Sequence, residues 1–251
     1  MRIIAKLDVK PPYVVKPVHF EGLRKVGIPQ ELAKKYYDQG ADEIFYIDIV
    51  ASLYRRKIIF EEIEKTANDL YIPFGVGGGV KSIEDFSRLF HTGADKVIIN
   101  TYAIHENPEL IDEAAEIFGK QAVVVNVESK RWHDHWECYT DCGRIQSGKS
   151  VLEWVEEVEE RGAGEILLQS VDHDGRGRGF DIELAKKVVE SVDIPVVVAS
   201  GAGSLDDIGD LARKVDPSGI AIASVLHYGR FSIAEIKKYL VDIGVEVSNG
   251  K

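Results

Sequence analysis

The stretch that decides the fold is RIIAKLDVK, residues 2–10, an apolar run that ends in a carboxylate. Side chains alternate across a strand, so a strand here places Arg2, Lys6 and Asp8 on one face. A second run of the same form, VVVNVESK at residues 123–130, also carries an acid, Glu128, followed by lysine two residues later. The two acids lie 120 residues apart (128 − 8), nearly half of the chain, which indicates a duplicated architecture.

Strand-like apolar runs alternate with amphipathic helical patterns along the whole chain. The predicted strands begin near Arg2, Asp42, Ile72, Asp95, Gln121, Glu165, Ile194 and Gly219. Eight strand–helix units predict parallel strands with crossover helices, and a chain of 251 residues has the size of a (β/α)8 barrel. A doubly wound open sheet is the alternative. The internal repeat favours a single α/β TIM barrel over residues 1–251.

The repeat extends beyond the two acids. Ile72-Pro73 before one glycine-rich stretch matches Ile194-Pro195 before another, at an offset of 122, and Thr101 matches Ser224 at an offset of 123. A solenoid would need a much shorter period. We therefore expect two half-barrels, at about residues 1–120 and 121–245.

Composition limits the classes of function. The formal net charge is −11, which argues against nucleic acid or an anionic membrane as the main partner. No apolar run approaches the roughly 20 residues that span a bilayer, and no signal peptide is recognisable, so we expect a cytoplasmic protein.

The two cysteines, Cys138 and Cys142, lie in a segment that also contains histidines. A metal site there is conceivable, but the spacing matches no strong zinc pattern. The alternating aromatic residues and the turn at residues 141–143 favour a surface β-hairpin. We predict neither a metal nor a cofactor.

Two glycine-rich stretches, VGGGV at residues 76–80 and SGAGS at residues 200–204, each follow a predicted strand and precede a predicted helix. Glycines let backbone N–H groups approach an anion, and a helix N-terminus adds a favourable dipole. Either stretch alone is compatible with a plain tight turn. Their repeat spacing predicts two phosphate sites at the barrel mouth, one at Gly79 and Thr101 and one at Gly203 and Ser224.

Asp8 and Glu128 are predicted to lie between those phosphate sites, because both end strands at the mouth. Paired carboxylates can serve as general acid and general base when their surroundings separate their pKa values. Alternatively, they form ion pairs with Lys10, Lys16 or Lys130.

The opposite ends of the strands also carry charges. These residues are Arg2, Glu43, Lys96 and Glu165. Two acids and two bases could form a salt-bridged ring that closes the barrel floor. Since buried ion pairs add little to stability, such a ring suggests a function, although surface ion pairing is the simpler interpretation.

Over essentially its whole chain, the sequence resembles the cyclase subunit of imidazole glycerol phosphate synthase, an enzyme of histidine biosynthesis. Among the stretches that carry the resemblance are LDVK at residues 7–10, VGGGV at residues 76–80 and Asp172 to Gly175. The resemblance implies that a glutaminase subunit docks at the floor and forms a heterodimer. Ammonia then passes a charged gate and reacts at the mouth with a bisphosphorylated ribulosyl aminoimidazole carboxamide ribotide. The products are imidazole glycerol phosphate and an aminoimidazole carboxamide ribotide.

The resemblance also assigns roles to single residues. Asp8 matches the catalytic acid, Glu128 the second catalytic group and Lys16 a mobile lysine of the first loop. The phosphate-site matches are Gly79, Asn100 and Thr101 for one site and Asp174, Gly175, Gly201, Ala223 and Ser224 for the other. The gate matches are Arg2, Glu43, Lys96 and Glu165.

The chain departs from the family at the mouth. Glu128 stands where the family has aspartate, and Lys6 and Asn126 replace small residues. We expect Lys6 to pair with Asp8, Glu128 or Asn126 and so to narrow the passage, because an unpaired buried ammonium is costly. Two alternatives follow: a paralogue that channels ammonia to another synthase, for example in surface-sugar amidination, or a non-catalytic barrel that stabilises a glutaminase.

Overall fold

A closed barrel of eight parallel strands forms the centre of the molecule in the computed structural model, which describes residues 1–18 and 21–248. The barrel strands are β1 (Arg2–Lys10), β4 (Glu43–Asp48), β5 (Phe74–Gly77), β6 (Lys96–Ile99), β7 (Val123–Trp132), β10 (Glu165–Ser170), β11 (Val196–Ala199) and β12 (Gly219–Ile222). Each begins within two residues of its predicted start. The predicted (β/α)8 fold is therefore confirmed, and the open-sheet alternative is wrong.

The barrel closes where β7 pairs with β10. The strand order is β10-β11-β12-β1-β4-β5-β6-β7, and the closing register places Glu165 beside Val124. On the other side of the ring, Arg2 of β1 lies beside Gly219 of β12. Because all eight strands run in one direction, their carboxyl ends meet at one mouth and their amino ends at one floor. The division into half-barrels near residue 120 stays a prediction, since both halves share one continuous sheet.

Helices surround the barrel, and some of them begin at a side-chain cap. In the described chain they are α1 (Pro29–Asp38), α2 (Phe60–Ala67), α3 (Ile83–His91), α4 (Thr101–His105), α5 (Glu109–Phe118), α6 (Val151–Glu160), α7 (Ile182–Ser191), α8 (Leu205–Val215), α9 (Ser224–His227) and α10 (Ile233–Asp242). The Ser82 side chain accepts a hydrogen bond at the start of α3, and Ser204 and Ser232 form capping boxes on α8 and α10. None of the helices in these residues is long and apolar enough to cross a bilayer.

Two antiparallel hairpins extend the sheet at the mouth. Strands β2 (Tyr13–Val18) and β3 (Glu21–Gly27) follow β1, and β8 (His135–Thr140) and β9 (Ile145–Ser150) follow β7. The hairpin predicted around the two cysteines is confirmed. Its surface position is wrong for both cysteines, which are buried. Cys138 packs in the main hydrophobic core, whereas Cys142 lines the first cavity because the β8–β9 turn folds inward over the mouth.

The barrel interior is filled in layers, because inward-facing residues recur at every second position. Above the charged floor lies an apolar layer that includes Ile4, Phe45, Ile98, Val124, Leu167 and Val197, all 2% exposed or less. The next inward positions on β1, β7 and β10 are Lys6, Asn126 and Gln169, buried to 4% exposure or less. This buried polar layer separates the apolar layer from the mouth.

The two ends of the described chain meet at the floor. The Met1 amino group donates to the Glu246 carbonyl oxygen at 3.1 Å, and the Ser248 N–H donates to the Met1 carbonyl oxygen at 2.8 Å. Lys237 of α10 ties this segment to the barrel, because its ammonium lies 2.6 Å from Asp42 and 3.0 Å from the Ser248 carbonyl oxygen.

Candidate active site

Asp8 is fully buried at the end of β1 and is surrounded by ammonium groups. Its Oδ1 accepts from Lys6 Nζ, and its Oδ2 lies 3.7 Å from Lys16 Nζ. Burial alone would raise the pKa of Asp8, but the two lysines outweigh burial and lower it. Asp8 is therefore an ionised carboxylate. The expected pairing of Lys6 is confirmed, and so is the Lys16 ion pair that the simpler interpretation proposed.

Glu128, on β7, has a different environment. Its Oε2 accepts from the Gly143 N–H at 2.7 Å, and its Oε1 accepts weakly from Asn126 at 3.4 Å. In the described part of the chain it forms no ion pair within 4 Å. Burial therefore dominates over the Gly143 hydrogen bond and raises the pKa of Glu128 to about 7.

The two carboxylates thus have separated proton affinities, as an acid–base pair requires. Asp8 is held ionised by Lys6 and Lys16, whereas Glu128 can gain or lose a proton near neutral pH. The difference arises from their partners, since both side chains are buried.

A first cavity of about 440 Å³ opens beside Glu128. Gly79, Asn100 and Thr101, the predicted members of one phosphate site, all line it. Glycine is required in this loop: Gly79 has φ +77°, and a Cβ on the preceding Gly78 would overlap the Asp48 carbonyl oxygen. The loop backbone therefore lies closer to β4 than any larger residue would allow.

A second cavity of about 20 Å³ lies on the other side of the mouth. Five predicted phosphate residues line it: Asp174, Gly175, Gly201, Ala223 and Ser224. Lys6 and Lys16 line it too, and the Lys16 ammonium lies 2.9 Å from Asp174. Since one water needs about 10–15 Å³, this cavity admits little more than a single water molecule.

Gly203 does not line the second cavity. Its N–H donates to Asp207 at 3.1 Å, as part of the cap of α8. In the repeat, Gly201 is the partner of Gly79 (79 + 122), whereas Gly203 corresponds to Lys81, whose N–H donates to Asp85 in the same way. Gly203 is therefore a capping residue in this structure.

The four floor charges form a closed ring. Arg2 Nη1 lies 2.6 Å from Glu43, Lys96 Nζ lies 2.9 Å from Glu43 and 2.7 Å from Glu165, and Arg2 Nη2 bonds Glu165. Glu43 is fully buried, and burial raises its pKa despite Lys96 and Arg2. The predicted ring is thus present, and it joins strands β1, β4, β6 and β10.

Sequence reasoning missed several residues of the mouth. Gln169 touches both cavities and donates to Asn126 Oδ1 at 2.6 Å, and Cys142 lines the first cavity. Alternation from Glu165 along β10 could have placed Gln169 inside the barrel. Cys142 had no such signal, because its position depends on how the β8–β9 turn folds over the mouth.

No metal centre is evident in the described residues, where no three His, Cys, Asp or Glu side chains converge. The Cys142 thiol instead donates to the Ile49 carbonyl oxygen, and burial raises the pKa of both Cys138 and Cys142. The absence of a metal or cofactor stays a prediction.

Fold and site together define a class of protein: a (β/α)8 barrel whose mouth holds two glycine-lined cavities, one lined by Glu128 and the other by two lysines that contact Asp8. Residues 2–232 match the family model described as histidine biosynthesis protein, and the chain belongs to this family.

Curated relatives match over nearly the full length. Imidazole glycerol phosphate synthase subunit HisF of Thermococcus onnurineus is 45% identical over 246 residues, 98% of this chain and 97% of its own. The proteins of the same name from Natranaerobius thermophilus and Pyrococcus furiosus are each 44% identical and cover 98% of this chain. The resemblance stated from the sequence is confirmed at the level of the family.

Proposed function

We propose that this chain is the cyclase subunit of an imidazole glycerol phosphate synthase. It takes ammonia from a glutaminase partner and converts the bisphosphorylated ribulosyl aminoimidazole carboxamide ribotide into imidazole glycerol phosphate and an aminoimidazole carboxamide ribotide. A cytoplasmic location belongs to the same proposal.

The observation that carries the proposal is the arrangement of the mouth. Glu128 lines the first glycine-lined cavity, and Lys6 and Lys16, which contact Asp8, line the second. A substrate with a phosphate at each end would span both cavities. Its middle would then lie over the carboxylates. This match between a two-ended ligand and a two-ended site supports a bisphosphate substrate.

The two carboxylates suit the addition of ammonia to a ketone. Nitrogen–carbon bond formation requires a proton for the carbonyl oxygen and removal of a proton from the nitrogen. Glu128 can carry the first proton near neutral pH, because burial raises its pKa to about 7. Asp8, which is ionised, can accept the second.

The floor ring suits the proposed entry of ammonia. Each carboxylate of the ring has two cationic partners, and each cation has two carboxylates. A partner that displaces Lys96 leaves Arg2 to hold both acids, so the ring can open without leaving either glutamate unpaired. In this proposal the glutaminase docks on this face and feeds ammonia through the ring.

The proposal is tested by supplying the purified chain with ammonium and the ribulosyl substrate and measuring the carboxamide ribotide formed. We expect turnover without any partner. Asp8→Asn should abolish kcat and leave KM nearly unchanged, because a group that moves a proton acts on the transition state. The exposed Asp69 provides the control, and Asp69→Asn should retain wild-type kinetics.

Folded protein that forms no product at any ammonium concentration would contradict the proposal. A chain that binds a glutaminase yet lacks this turnover would instead support the ammonia-channelling or stabilising alternatives.

A further inference from the structure

Lys6 is not part of the floor ring, and it lines the second cavity while its ammonium is bonded to Asp8. It is 3% exposed and stands in the buried polar layer, between the apolar layer and the mouth. Its ammonium bonds Asp8 Oδ1, two residues along the same strand. In this position Lys6 stands between the apolar layer and the mouth, and its ammonium covers one oxygen of Asp8.

We propose that Lys6 is a second, inner gate, which a phosphate group of the substrate opens by drawing the ammonium away from Asp8. This inference rests on the proposed function for its ammonia, but its first step concerns only Lys6, Asp8 and a phosphate ion. Before the substrate arrives, Lys6 keeps Asp8 covered and the passage closed.

Geometry supports the transfer of Lys6 between two anions. The Lys6 side chain lines the second cavity together with Gly201 and Ser224, so it can reach a phosphate there while remaining attached to β1. A phosphate carries more charge than a single carboxylate and offers more acceptor oxygens. The cavity holds only about 20 Å³ in this structure, so a phosphate can enter only if the lysines that line it move.

The neighbours of Asp8 allow it to lose Lys6 without becoming an isolated charge. Lys16 lies 3.7 Å from Oδ2, and His227 is the further ionisable group that acts on this carboxylate. Burial lowers the pKa of His227 to about 4, so the imidazole is neutral. After Lys6 leaves, Asp8 keeps one cation and gains an uncovered oxygen, which can take a proton from the nitrogen once ammonia has bonded to the carbonyl carbon and become positively charged.

The polar layer also offers a resting position for ammonia at the inner gate. Gln169 Oε1 is buried and, among the described residues, accepts no hydrogen bond. Gln169 borders both cavities, so a neutral ammonia molecule that leaves the apolar layer can donate to this oxygen beside Lys6.

The direct test is carbon NMR of the labelled Asp8 carboxyl during titration with inorganic phosphate. In the wild type, phosphate should raise the pH midpoint of Asp8, because Lys6 leaves. In Lys6→Met the pH midpoint of Asp8 should already be higher without phosphate and should change less when phosphate is added. Phosphate should also bind the second cavity about tenfold more weakly, because one charge-assisted hydrogen bond is lost. Lys10→Met, an exposed lysine on the same strand, is the matched control.

A second readout uses the complex with glutaminase. At low substrate concentration, Lys6→Met should form more product per glutamine hydrolysed than the wild type. At saturating substrate the two ratios should agree, because phosphate then opens the wild-type gate. Lys6→Gln serves if the methionine variant does not fold.

Equal phosphate affinity and an unchanged Asp8 titration in both Lys6 variants would overturn the inner gate. This outcome is independent of turnover, so it is distinguishable from failure of the proposed function, in which the wild-type chain forms no product but the NMR response to phosphate persists.

Discussion

Glu128 and Asp8 illustrate how the partners of a buried carboxylate decide whether burial controls its pKa. Both are buried, yet Asp8 faces two ammonium groups and Glu128 faces an N–H group and an amide. The Glu128 carboxylate extends to the neighbouring turn, where it accepts a hydrogen bond from the Gly143 N–H at 2.7 Å.

Glu128→Gln should change how stability depends on pH. The folded pKa of Glu128, about 7, exceeds its unfolded value of 4.5, so the folded state binds an extra proton between these values and the wild type loses stability as pH rises through them. From pH 5 to pH 8 the variant should gain about 2–3 kcal/mol relative to wild type, measured by urea unfolding. The exposed Glu160 is the control, and Glu160→Gln should show no such gain.

Parallel stability curves for wild type and Glu128→Gln across this pH range would mean that Glu128 is ionised in the folded state at neutral pH. Glu128 would then be unable to supply the proposed proton.

Residues 78 and 200 are equivalent positions of the repeat, and swapping glycine and serine at these positions should affect the free energy of unfolding differently. Ser200 has φ +72°, in the left-handed region, and corresponds to Gly78 with φ +105° (78 + 122). Ser200→Gly should change the free energy of unfolding by about 0 to +1 kcal/mol, because relief of strain offsets the greater freedom of the unfolded chain. Gly78→Ser should cost more than about 2 kcal/mol, because its Cβ would overlap the Asp48 carbonyl oxygen. Thermal unfolding of both variants checks the pair, and similar losses in both would contradict it.

At the scale of elements, the β2–β3 hairpin covers the second half of the mouth. Lys16 of β2 reaches Asp174, and the Val14 and Val15 side chains are buried. The two cavities therefore differ in the space that they offer a phosphate: the first is open, and the second, which Lys6 and Lys16 line, is nearly filled.

Phosphate should consequently bind in two steps. In an amide NMR titration, Gly79 should respond at lower phosphate concentration than Gly201, because only the second cavity must expand. Saturation at Gly201 should be accompanied by faster hydrogen exchange at Val14 and Val15 as the hairpin loosens. Chloride at equal ionic strength is the control, and simultaneous saturation with unchanged exchange would contradict the prediction.

Elements were more predictable from the sequence than contacts were. Strand positions followed from apolar runs and the repeat, and alternation from Arg2 and Asp8 placed Lys6 inside the barrel. The hairpin strands after β1 and the position of Cys142 were not predictable, because they depend on how loops fold over the mouth. Gly203 was misjudged for a related reason: its N–H is already engaged by Asp207, a carboxylate four residues away.

At the scale of the whole molecule, the floor ring connects four strands that are distant in sequence. Lys96→Met leaves Glu43 and Glu165 with Arg2 alone, which should cost about 2–3 kcal/mol, somewhat less than a fully buried pair because Lys96 is 18% exposed. Lys65→Met is the matched control: this exposed lysine pairs with glutamates on α2 and should cost less than about 0.5 kcal/mol.

If the ring is also a gate, Lys96→Met should change glutamine-supported activity more than activity on free ammonium, which reaches the mouth from solvent. Equal effects on both activities, beside the loss of stability, would assign the ring a purely structural role.

The two ends of the described chain meet at the floor, and this has a practical consequence for anyone who attaches a label to this protein. Met1 and Ser248 are hydrogen-bonded on the same face as Arg2. If the glutaminase docks on the floor, as the proposed function requires, an affinity tag fused ahead of Met1 would compete with it for that surface. The same tag inserted at the exposed turn of His133 and Asp134 would project from the opposite end and leave that surface clear. Pull-down yields with the two placements should differ accordingly.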